Sequence, residues 1–284
     1  MSNSPPLPEW IRPAMRKRPY LERLAPRLRE LGVATVCESA RCPNLGECFA
    51  GGEATFILLG EVCTRNCGFC AVQTGRPGPP DAAEPRRVGR AVKELGLKHV
   101  VLTSVTRDDL PDGGAQHFAA AVNEIRQLVP AVSVEVLVPD FRGDVAAVQR
   151  VVAAAPEVFA HNVETVPRLY PQVRPQADWA RSLQVLAQAR ACSAALLIKS
   201  GLMVGLGESR EELLQAFREL RAAGADLLTV GQYLQPTPEH LPVVEYPPME
   251  AYGELAAEAK RLGFRHVAAG PLVRSSYHAG EALS

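Results

Sequence analysis

The sequence predicts an α/β fold built as a partial barrel of six strand–helix units. Short runs rich in β-branched residues recur along the chain, and segments with the 3.6-residue period of an amphipathic helix lie between them. Repeated units of this kind favour a parallel sheet with helices packed outside it. Six units are too few for a closed eight-stranded TIM barrel, so we expect a partial (β/α)6 barrel of that type. Functional side chains should then lie at the carboxyl ends of the strands.

Strands and helices are predicted from different local signals. A capping box of Ser209 and Glu212 opens one helix, which stops at Gly224. Another helix carries an apolar stripe formed by Phe118, Val122, Ile125 and Val129. The six strand runs are, in chain order, Thr55–Leu59, His99–Val105, Val132–Val138, Val158–Glu164, Ala195–Gly205 and Leu227–Tyr233.

The chain divides into three parts. Residues 1–53 are an N-terminal extension, residues 54–233 form the barrel, and residues 234–284 are a C-terminal extension. The first part contains a short helix that ends near Gly32, and a basic segment that is either a solvated face or a docking surface for an acidic protein. In the last part, a proline-rich loop precedes a predicted helix over Met249–Leu262.

Composition and charge restrict the classes of protein. Acidic and basic residues both total 31, so the formal net charge is zero, which argues against a strongly basic nucleic-acid binder. The longest apolar run, Ala194–Leu206, is interrupted by Lys199 and glycines, and no run is long enough to cross a membrane. The N-terminus lacks the apolar stretch of a signal peptide. We therefore expect a soluble protein of the reducing cytoplasm, whose clustered cysteines act as ligands rather than disulfides.

Six of the seven cysteines lie between positions 37 and 70, in two triplets with short spacings. Clustered thiolates of this kind bind a metal or an iron–sulfur cluster. Seven thiols cannot supply two complete four-thiolate sites, so at least one site must use another ligand or leave a metal position open. The upstream triplet is Cys37, Cys42 and Cys48 (C-x4-C-x5-C), and the downstream triplet is Cys63, Cys67 and Cys70 (C-x3-C-x2-C).

The downstream triplet directly follows the first predicted strand, which places it at the carboxyl end of the barrel. Three thiolates in one loop can hold three irons of a [4Fe–4S] cluster, and the amine and carboxylate of an amino acid can chelate the fourth iron. A zinc site or a plain electron-transfer cluster is the alternative. Zinc favours four ligands and paired C-x2-C units, and the sequence contains one such pair, Cys67 with Cys70.

The spacing of the downstream triplet, with Phe69 before its last cysteine, resembles the defining motif of the radical S-adenosylmethionine (SAM) family. This resemblance implies a partial barrel of the radical SAM type. It also implies that the reduced cluster cleaves SAM to a 5′-deoxyadenosyl radical, which takes hydrogen from unactivated carbon.

The upstream triplet alone permits a structural zinc site with a remote fourth ligand. Together with later motifs, it resembles the lipoyl synthases, a family of radical SAM enzymes, from about residue 30 to about residue 280. The motifs occur in the order of that family and read TVCESARCPNLGEC, CTRNCGFC, VLTSVTRDDLPDGGA, HNVETVPRLYPQVRP, KSGLMVGLGE and GPLVRSSYHA.

The resemblance to lipoyl synthases implies an activity, cofactors and partners. The downstream triplet would hold the SAM-binding cluster, and the upstream triplet an auxiliary [4Fe–4S] cluster whose fourth ligand is Ser276 of the RSSY motif. The auxiliary cluster would give two sulfur atoms to carbons six and eight of an octanoyl group. That group would be carried on a lysine of a lipoyl carrier domain, in the E2 subunit of a 2-oxoacid dehydrogenase or the glycine cleavage H protein. Flavodoxin or ferredoxin would donate electrons.

Polar residues on the predicted inner face are candidate SAM contacts. Buried charges are costly unless paired, so Lys199 in its apolar strand either binds SAM or pairs with a carboxylate. Two glycines after the second strand permit close approach of a ligand, or simply form a turn before a helix. An ordinary turn is likewise the local alternative for Ser275 and Ser276. The candidate SAM contacts are Thr103, Gly113, Gly114, Asn162, Glu164 and Lys199.

Two other functions stay open from the sequence. One is a different radical SAM enzyme that inserts sulfur, such as one similar to biotin synthase, and the other is a redox module that carries two clusters without catalysis. The upstream triplet and the RSSY motif argue against the first of these. The second predicts no cleavage of SAM by the reduced protein.

Overall fold

One eight-stranded sheet organises the fold, in a computed structural model that describes residues 4–6, 8–9, 26–36, 44–277 and 279–283. The strands of these residues are β1 (Ala34–Thr35), β2 (Glu53–Leu58), β3 (Val62–Cys63), β4 (Gln73–Thr74), β5 (His99–Ser104), β6 (Ser133–Leu137), β7 (Val158–Ala160), β8 (Leu197–Val204), β9 (Leu227–Gln232) and β10 (His266–Gly270). The main sheet has the order β1-β2-β5-β6-β7-β8-β9-β10, and β3 pairs with β4. All its strands run parallel except β1, which pairs antiparallel with β2.

Helices cover the outer face of the sheet and enclose the core with it. Phe56 of β2 and Leu102 of β5 are fully buried between the sheet and this layer. None of the helices in the described part of the chain is long and apolar enough to cross a bilayer. The helices are α1 (Leu45–Gly51), α2 (Glu84–Glu94), α3 (Ala115–Leu128), α4 (Val145–Ala153), α5 (Tyr170–Val173), α6 (Trp179–Cys192), α7 (Arg210–Ala222) and α8 (Met249–Arg261), with short 3-10 helices at Phe141–Gly143, Pro167–Leu169 and Ala279–Leu283.

The six predicted strands are all present, which confirms the α/β partial barrel. The strand predicted over Val158–Glu164 was wrong at its end, because β7 stops at Ala160 and Glu164 has a left-handed backbone with φ of 65°. The seventh parallel strand, β10, was not predicted, since its sequence HVAAG is short and consists mostly of small residues. Pairing with β9 along its whole length stabilises it in the folded chain.

The predicted helix signals are also present. Ser209 Oγ accepts the Glu212 N–H at 3.2 Å, and the Glu212 carboxylate accepts the Ser209 N–H at 2.8 Å, which confirms the capping box. Gly224 follows this helix with φ of 95°. Three residues of the predicted apolar stripe, Phe118, Val122 and Ile125, are buried on α3, whereas Val129 follows the helix as its C-cap. The predicted C-terminal helix is α8. Residues 26–31 are helical and end at Gly32, which has φ of 64°.

Side chains on the inner face of the sheet contact each other and the C-terminal segment. Lys199 on β8 donates to both carboxylate oxygens of Glu135 on β6, at 3.0 and 2.9 Å, across the intervening β7. At the amino ends of the strands, Ala282 packs against Val158 and Leu227, so the last 3-10 helix covers this end of the lumen.

Residues 44–47 and 272–277 meet near the edges of the sheet, which are β1 and β10. Asn44 Nδ2 donates to the Leu272 carbonyl at 2.7 Å, and the Tyr277 hydroxyl donates to Glu47 Oε1 at 3.4 Å. These contacts bring the end of the upstream cysteine segment to the C-terminal RSSY segment.

Candidate cluster-binding site

The loop that carries the downstream cysteine triplet lies at the carboxyl end of the barrel, as predicted. Cys63 ends β3 and lies five residues after the end of β2, and the loop continues to Cys70. Thr64 attaches this loop to the segment after β5, because its N–H and its hydroxyl both donate to the Thr106 carbonyl, at 3.0 and 2.9 Å. The Thr64 hydroxyl also accepts the Asp108 N–H at 3.0 Å. We call residues 63–70 the three-thiol loop.

The thiols of this loop have a partly buried, hydrogen-bonded environment. Cys63 Sγ accepts the N–H groups of Arg65 and Thr106 at 3.4 and 3.3 Å, and such donors stabilise a thiolate. Burial raises the pKa of Cys67 to about 11 and also raises the pKa of Cys70, so cluster binding must release protons from these thiols.

A cluster and a single ion require different arrangements of the ligands. No three His, Cys, Asp or Glu side chains of the described residues converge as the ligands of one metal ion would. A four-iron cube attaches each thiolate to a different iron, so it needs no such convergence. Three partly buried thiols in one loop match the donor set of such a cube.

Gly68 is held tightly between two other parts of the chain. Its N–H donates to the Val173 carbonyl at 2.9 Å, and its carbonyl accepts the Leu241 N–H at 3.0 Å. A Cβ atom at Gly68 would lie 2.9 Å from the Leu241 side chain and 3.1 Å from the Gln172 carbonyl. The loop after β9, which contains Leu241, therefore also holds the three-thiol loop in place.

Arg65 anchors the three-thiol loop to the barrel through a buried ion network. Its side chain is 5% exposed and donates Nε and Nη2 to the two carboxylate oxygens of Asp108, at 2.6 and 2.8 Å. It also donates Nη1 and Nη2 to the carboxylate of Asp140, at 3.0 and 2.6 Å. Burial alone would raise the pKa of Asp140, but Arg65 outweighs it and lowers this pKa to about 2. The loop is thereby tied to the segments after β5 and β6.

Several buried polar atoms beside the three-thiol loop lack a hydrogen-bond partner among the described residues. Buried polar groups are normally hydrogen-bonded, so their concentration here fits a polar ligand that is not part of the protein. The amine, carboxylate and ribose of SAM supply both donors and acceptors. The atoms lie at the carboxyl end of β5 and in the segment after β7, and they are Ser104 Oγ, His161 Nε2, Asn162 Oδ1, Thr165 Oγ1 and Arg174 Nε.

Asn162 and Glu164 lie close together at this end of the lumen, although not as neighbours on a strand face. Gly201 on β8 leaves space for Asn162, since a Cβ there would lie 3.0 Å from Asn162 Oδ1. Burial raises the pKa of Glu164, and the nearby Arg174 partly opposes this shift. Arg174 itself donates to the Asn162 carbonyl at 2.8 Å and lies over the Tyr170 ring, 5.2 Å from its centroid. The site thus presents an amide, a carboxyl and a guanidinium group together.

Thr103 and the two glycines have protein partners. The Thr103 hydroxyl donates to the Leu137 carbonyl at 2.9 Å. Gly113 and Gly114 have positive φ angles of 60° and 91° and form the turn that begins α3. A Cβ at Gly114 would meet the Leu59 side chain, so protein atoms fill this space. The two glycines therefore form a turn before a helix, which is one of the two alternatives that the sequence permits, and their contact with SAM stays a prediction.

Lys199 lies low in the lumen, at the third residue of β8, while the three-thiol loop lies at the opposite end of the strands. Its side chain is 4% exposed, and its ammonium group pairs with both oxygens of the buried Glu135 carboxylate. This is the ion pair that the sequence left open as the alternative to SAM binding. The geometry favours this pair, and we leave Lys199 out of the SAM site proposed below.

Cys48 and Ser276 line one recess just inside the open edge of the barrel. Side chains of β2 and β5 complete its wall, together with Arg274 and Tyr277. Ser276 lies in a turn closed by the Tyr277 N–H, which donates to the Arg274 carbonyl at 2.9 Å. Ser275 does not line this recess in the described part of the chain. The other two upstream cysteines, Cys37 and Cys42, lie outside the described residues.

Comparisons with known proteins agree with this geometry. The sequence profile of the Radical SAM superfamily matches residues 57–220. The lipoyl synthase of Caldanaerobacter subterraneus is 53% identical over 277 residues, which cover 98% of this chain and 97% of the relative. The lipoyl synthase of Thermus thermophilus is 54% identical over 274 residues, which cover 96% of this chain and 85% of the relative.

The chain belongs to the lipoyl synthase family. Membership of the radical SAM superfamily implies a [4Fe–4S] cluster and SAM, which agrees with the donor set of the three-thiol loop and the unpaired polar atoms beside it. Among solved structures, methylornithine synthase has a TM-score of 0.57 at 14% identity and covers 76% of this chain and 70% of its own. Coproporphyrinogen III oxidase from Escherichia coli has a TM-score of 0.55 at 13% identity and covers 74% of this chain and 53% of its own. At these identities the structural likeness shows the fold alone.

Sequence reasoning missed two site residues, Arg65 and Arg174. Arg65 is the one charged residue between Cys63 and Cys70, and a single charge in this loop could have identified it as a site residue from the sequence. Its partners, Asp108 and Asp140, both follow strands, where an α/β barrel collects polar side chains. Arg174 lies in a proline-containing segment without helical or strand periodicity, so its burial could not be predicted from the neighbouring sequence.

Proposed function

We propose that this chain is a radical SAM sulfurtransferase that converts a protein-bound octanoyl-lysine to the lipoyl cofactor. The observation that carries the proposal is the shared recess of Cys48 and Ser276, which come from opposite ends of the chain. A serine beside a cluster-type cysteine supplies the ligand that seven cysteines cannot supply. The three-thiol loop lies at the other functional position, the carboxyl ends of the strands.

The proposed division of labour assigns each triplet one cluster. When bound, the first cluster and SAM supply the radical that removes hydrogen from the octanoyl chain, and the second cluster supplies sulfur. An oxygen ligand is harder than thiolate and suits a soft sulfide cluster less well, so the Ser276 position should release readily. The ligands are Cys63, Cys67 and Cys70 for the first cluster, and Cys37, Cys42, Cys48 and Ser276 for the second.

The chain's own residues hold and orient these groups. Arg65 fixes the three-thiol loop against the segments after β5 and β6 through its two carboxylate partners. Asn162, Glu164 and Arg174 present hydrogen-bonding groups to the amino acid and ribose parts of SAM. The surrounding side chains exclude water, which keeps a reactive radical from side reactions.

The substrate and partners follow from this proposed reaction. The octanoyl group would arrive on a lysine of a lipoyl carrier domain, either an E2 subunit of a 2-oxoacid dehydrogenase or a glycine cleavage H protein. A small electron carrier such as flavodoxin or ferredoxin would reduce the first cluster. The location in the cytoplasm stays a prediction.

The test separates the two triplets by single substitutions in the full chain after anaerobic reconstitution. The wild type should hold about eight irons per chain, which corresponds to two four-iron clusters. Cys63→Ala should abolish release of 5′-deoxyadenosine, while Cys48→Ala should keep some release but form no lipoyl product. Cys192→Ala is the matched control, because this exposed thiol ends α6 far along the chain from both triplets, and it should behave as wild type.

Three outcomes would overturn the proposal. A single cluster or bound zinc would contradict the two-cluster assignment. The same phenotype for Cys63→Ala and Cys48→Ala would contradict the division of labour. Two clusters without any cleavage of SAM would favour a redox module instead. The serine assignment has its own pair, in which Ser276→Ala should stop product formation and Ser275→Ala should not.

A further inference from the structure

We propose that Gly231 is a positioning residue for the Cys48–Ser276 recess. It has no side chain, so a turn of the C-terminal segment can enter the lumen and place Ser276 beside Cys48. The inference rests on the proposed function, because the recess is the proposed auxiliary cluster site. Nothing in the sequence motifs described above points to this residue.

The turn that follows β10 brings the RSSY segment back over the sheet. The Val273 N–H donates to the Gly270 carbonyl at 3.1 Å and closes this turn. Arg274 supports it by donating Nη1 to the Val273 carbonyl at 2.8 Å. Gly270 lies directly opposite Gly231 in the pairing of β10 with β9. The turn therefore folds back onto the strand that contains Gly231.

The Val273 backbone occupies the space that a side chain at Gly231 would need. A Cβ at Gly231 would lie 3.2 Å from the Val273 carbonyl carbon and well inside 3.0 Å of its oxygen, a separation that real Cβ atoms essentially never show. The Arg274 guanidinium would lie 3.6 Å from the same atom. Because the obstructing atoms are backbone, a rotamer change cannot relieve the clash, and the turn itself must move outward.

If this turn moves, Ser276 in the recess moves with it. Ser276 lies three residues after Val273, within the turn that the Tyr277 N–H closes on the Arg274 carbonyl. A metal–ligand distance tolerates a change of only about 0.2 Å. The outward shift that relieves the Gly231 clash exceeds this tolerance, so Ser276 could no longer share a cluster with Cys48. The hydrogen bonds that hold the three-thiol loop in the described part of the chain run to the segments after β5, β6, β7 and β9 instead of this turn, so the loop should keep its geometry.

The experiment compares Gly231→Ala with Gly270→Ala in the full chain. Gly270 is the matched control, because it lies in the same turn and its Cβ would meet Val273 Cγ2 at an ordinary 3.4 Å. After anaerobic reconstitution, Gly231→Ala should hold about four irons per chain instead of about eight. Its release of 5′-deoxyadenosine should stay close to the wild-type level. In the metal-free chain, hydrogen exchange of residues 272–277 should be faster than in the wild type.

Each outcome decides the inference. Two clusters and unchanged exchange in Gly231→Ala would overturn it, as would equal loss of iron in Gly270→Ala. Loss of both clusters with a large fall in melting temperature would show a general packing role and would also overturn it. A wild type with one cluster would overturn the proposed function itself. The exchange measurement needs no metal, so it would still decide whether Gly231 sets the position of the turn.

Discussion

Replacement of Arg65 by Met tests how the three-thiol loop is held to the barrel. The substitution removes four charge-assisted hydrogen bonds and leaves the fully buried Asp140 without its main cation. Breaking a buried ion pair from one side typically costs about 3–5 kcal/mol, because the remaining charge stays desolvated. At about 2 °C per kcal/mol for a chain of this size, the melting temperature should fall by roughly 6–10 °C.

The assay is thermal unfolding of the metal-free chain by circular dichroism, so that cluster content does not affect the result. Arg168→Met is the matched control. Arg168 forms a similar two-bond pair with Glu212, at 2.7 and 2.9 Å, but its side chain is 56% exposed. Exposed pairs contribute little, so this variant should melt close to the wild type. An Arg65→Met chain that melts no lower than the control would refute the assignment of Arg65 as a buried anchor.

The ion pair of Arg65 and Asp140 also makes the stability of the chain depend on pH, in a direction set by the pKa of Asp140. The pKa of Asp140 lies at about 2, below its ordinary 3.8. The ion pair therefore contributes fully above about pH 4, and the contribution is lost as the pH falls toward the folded value. In Arg65→Met, burial is no longer opposed by this cation. The difference in melting temperature between wild type and variant should thus be largest near neutral pH and should narrow in acid.

Three further predictions concern other contacts. Gly68→Ala should weaken retention of the first cluster, because the new Cβ would lie 2.9 Å from the Leu241 side chain and displace the loop. Iron content after gel filtration measures this, and an unchanged content would show that the close packing of Gly68 against Leu241 does not hold the loop in place. Lys199→Met should lower the free energy of unfolding in urea by about 3–5 kcal/mol, because it leaves the buried Glu135 carboxylate without its cation. The double variant Lys199→Met with Glu135→Leu should recover most of this loss, and no recovery would show that the cost does not come from the unpaired Glu135 carboxylate. Ser209→Ala should cost about 1 kcal/mol through loss of its cap, and no change would contradict the observed capping box.

Local patterns predicted the parts of the fold that local physics determines. The capping box at Ser209 and the stripe on α3 depend on residues three or four apart, so periodicity reveals them. The three-thiol loop was predicted for the same reason, because its three cysteines lie within eight residues. Its place at the carboxyl end followed from the position of β2.

Contacts between distant residues were not predictable in this way. Arg65 and Asp140 are 75 residues apart, and nothing in either local sequence shows that they pair. Regular pairing after β7 is broken where the N–H groups of Val163 and Glu164 both donate to the Gly201 carbonyl on β8 and Glu164 has a left-handed backbone. The strand β10 forms because β9 offers an unpaired edge, not because HVAAG has a strong strand preference. In each case tertiary contacts override or complete the local signal.

The most direct test of the account is mass spectrometry of an octanoyl-lysine peptide from a lipoyl carrier domain, after anaerobic incubation with the reconstituted chain, SAM and a reductant. The account predicts a product that has gained two sulfur atoms, in wild type and in Cys192→Ala but not in Cys48→Ala or Ser276→Ala. Release of 5′-deoxyadenosine with an unchanged octanoyl peptide, in a wild type that holds both clusters, would contradict it.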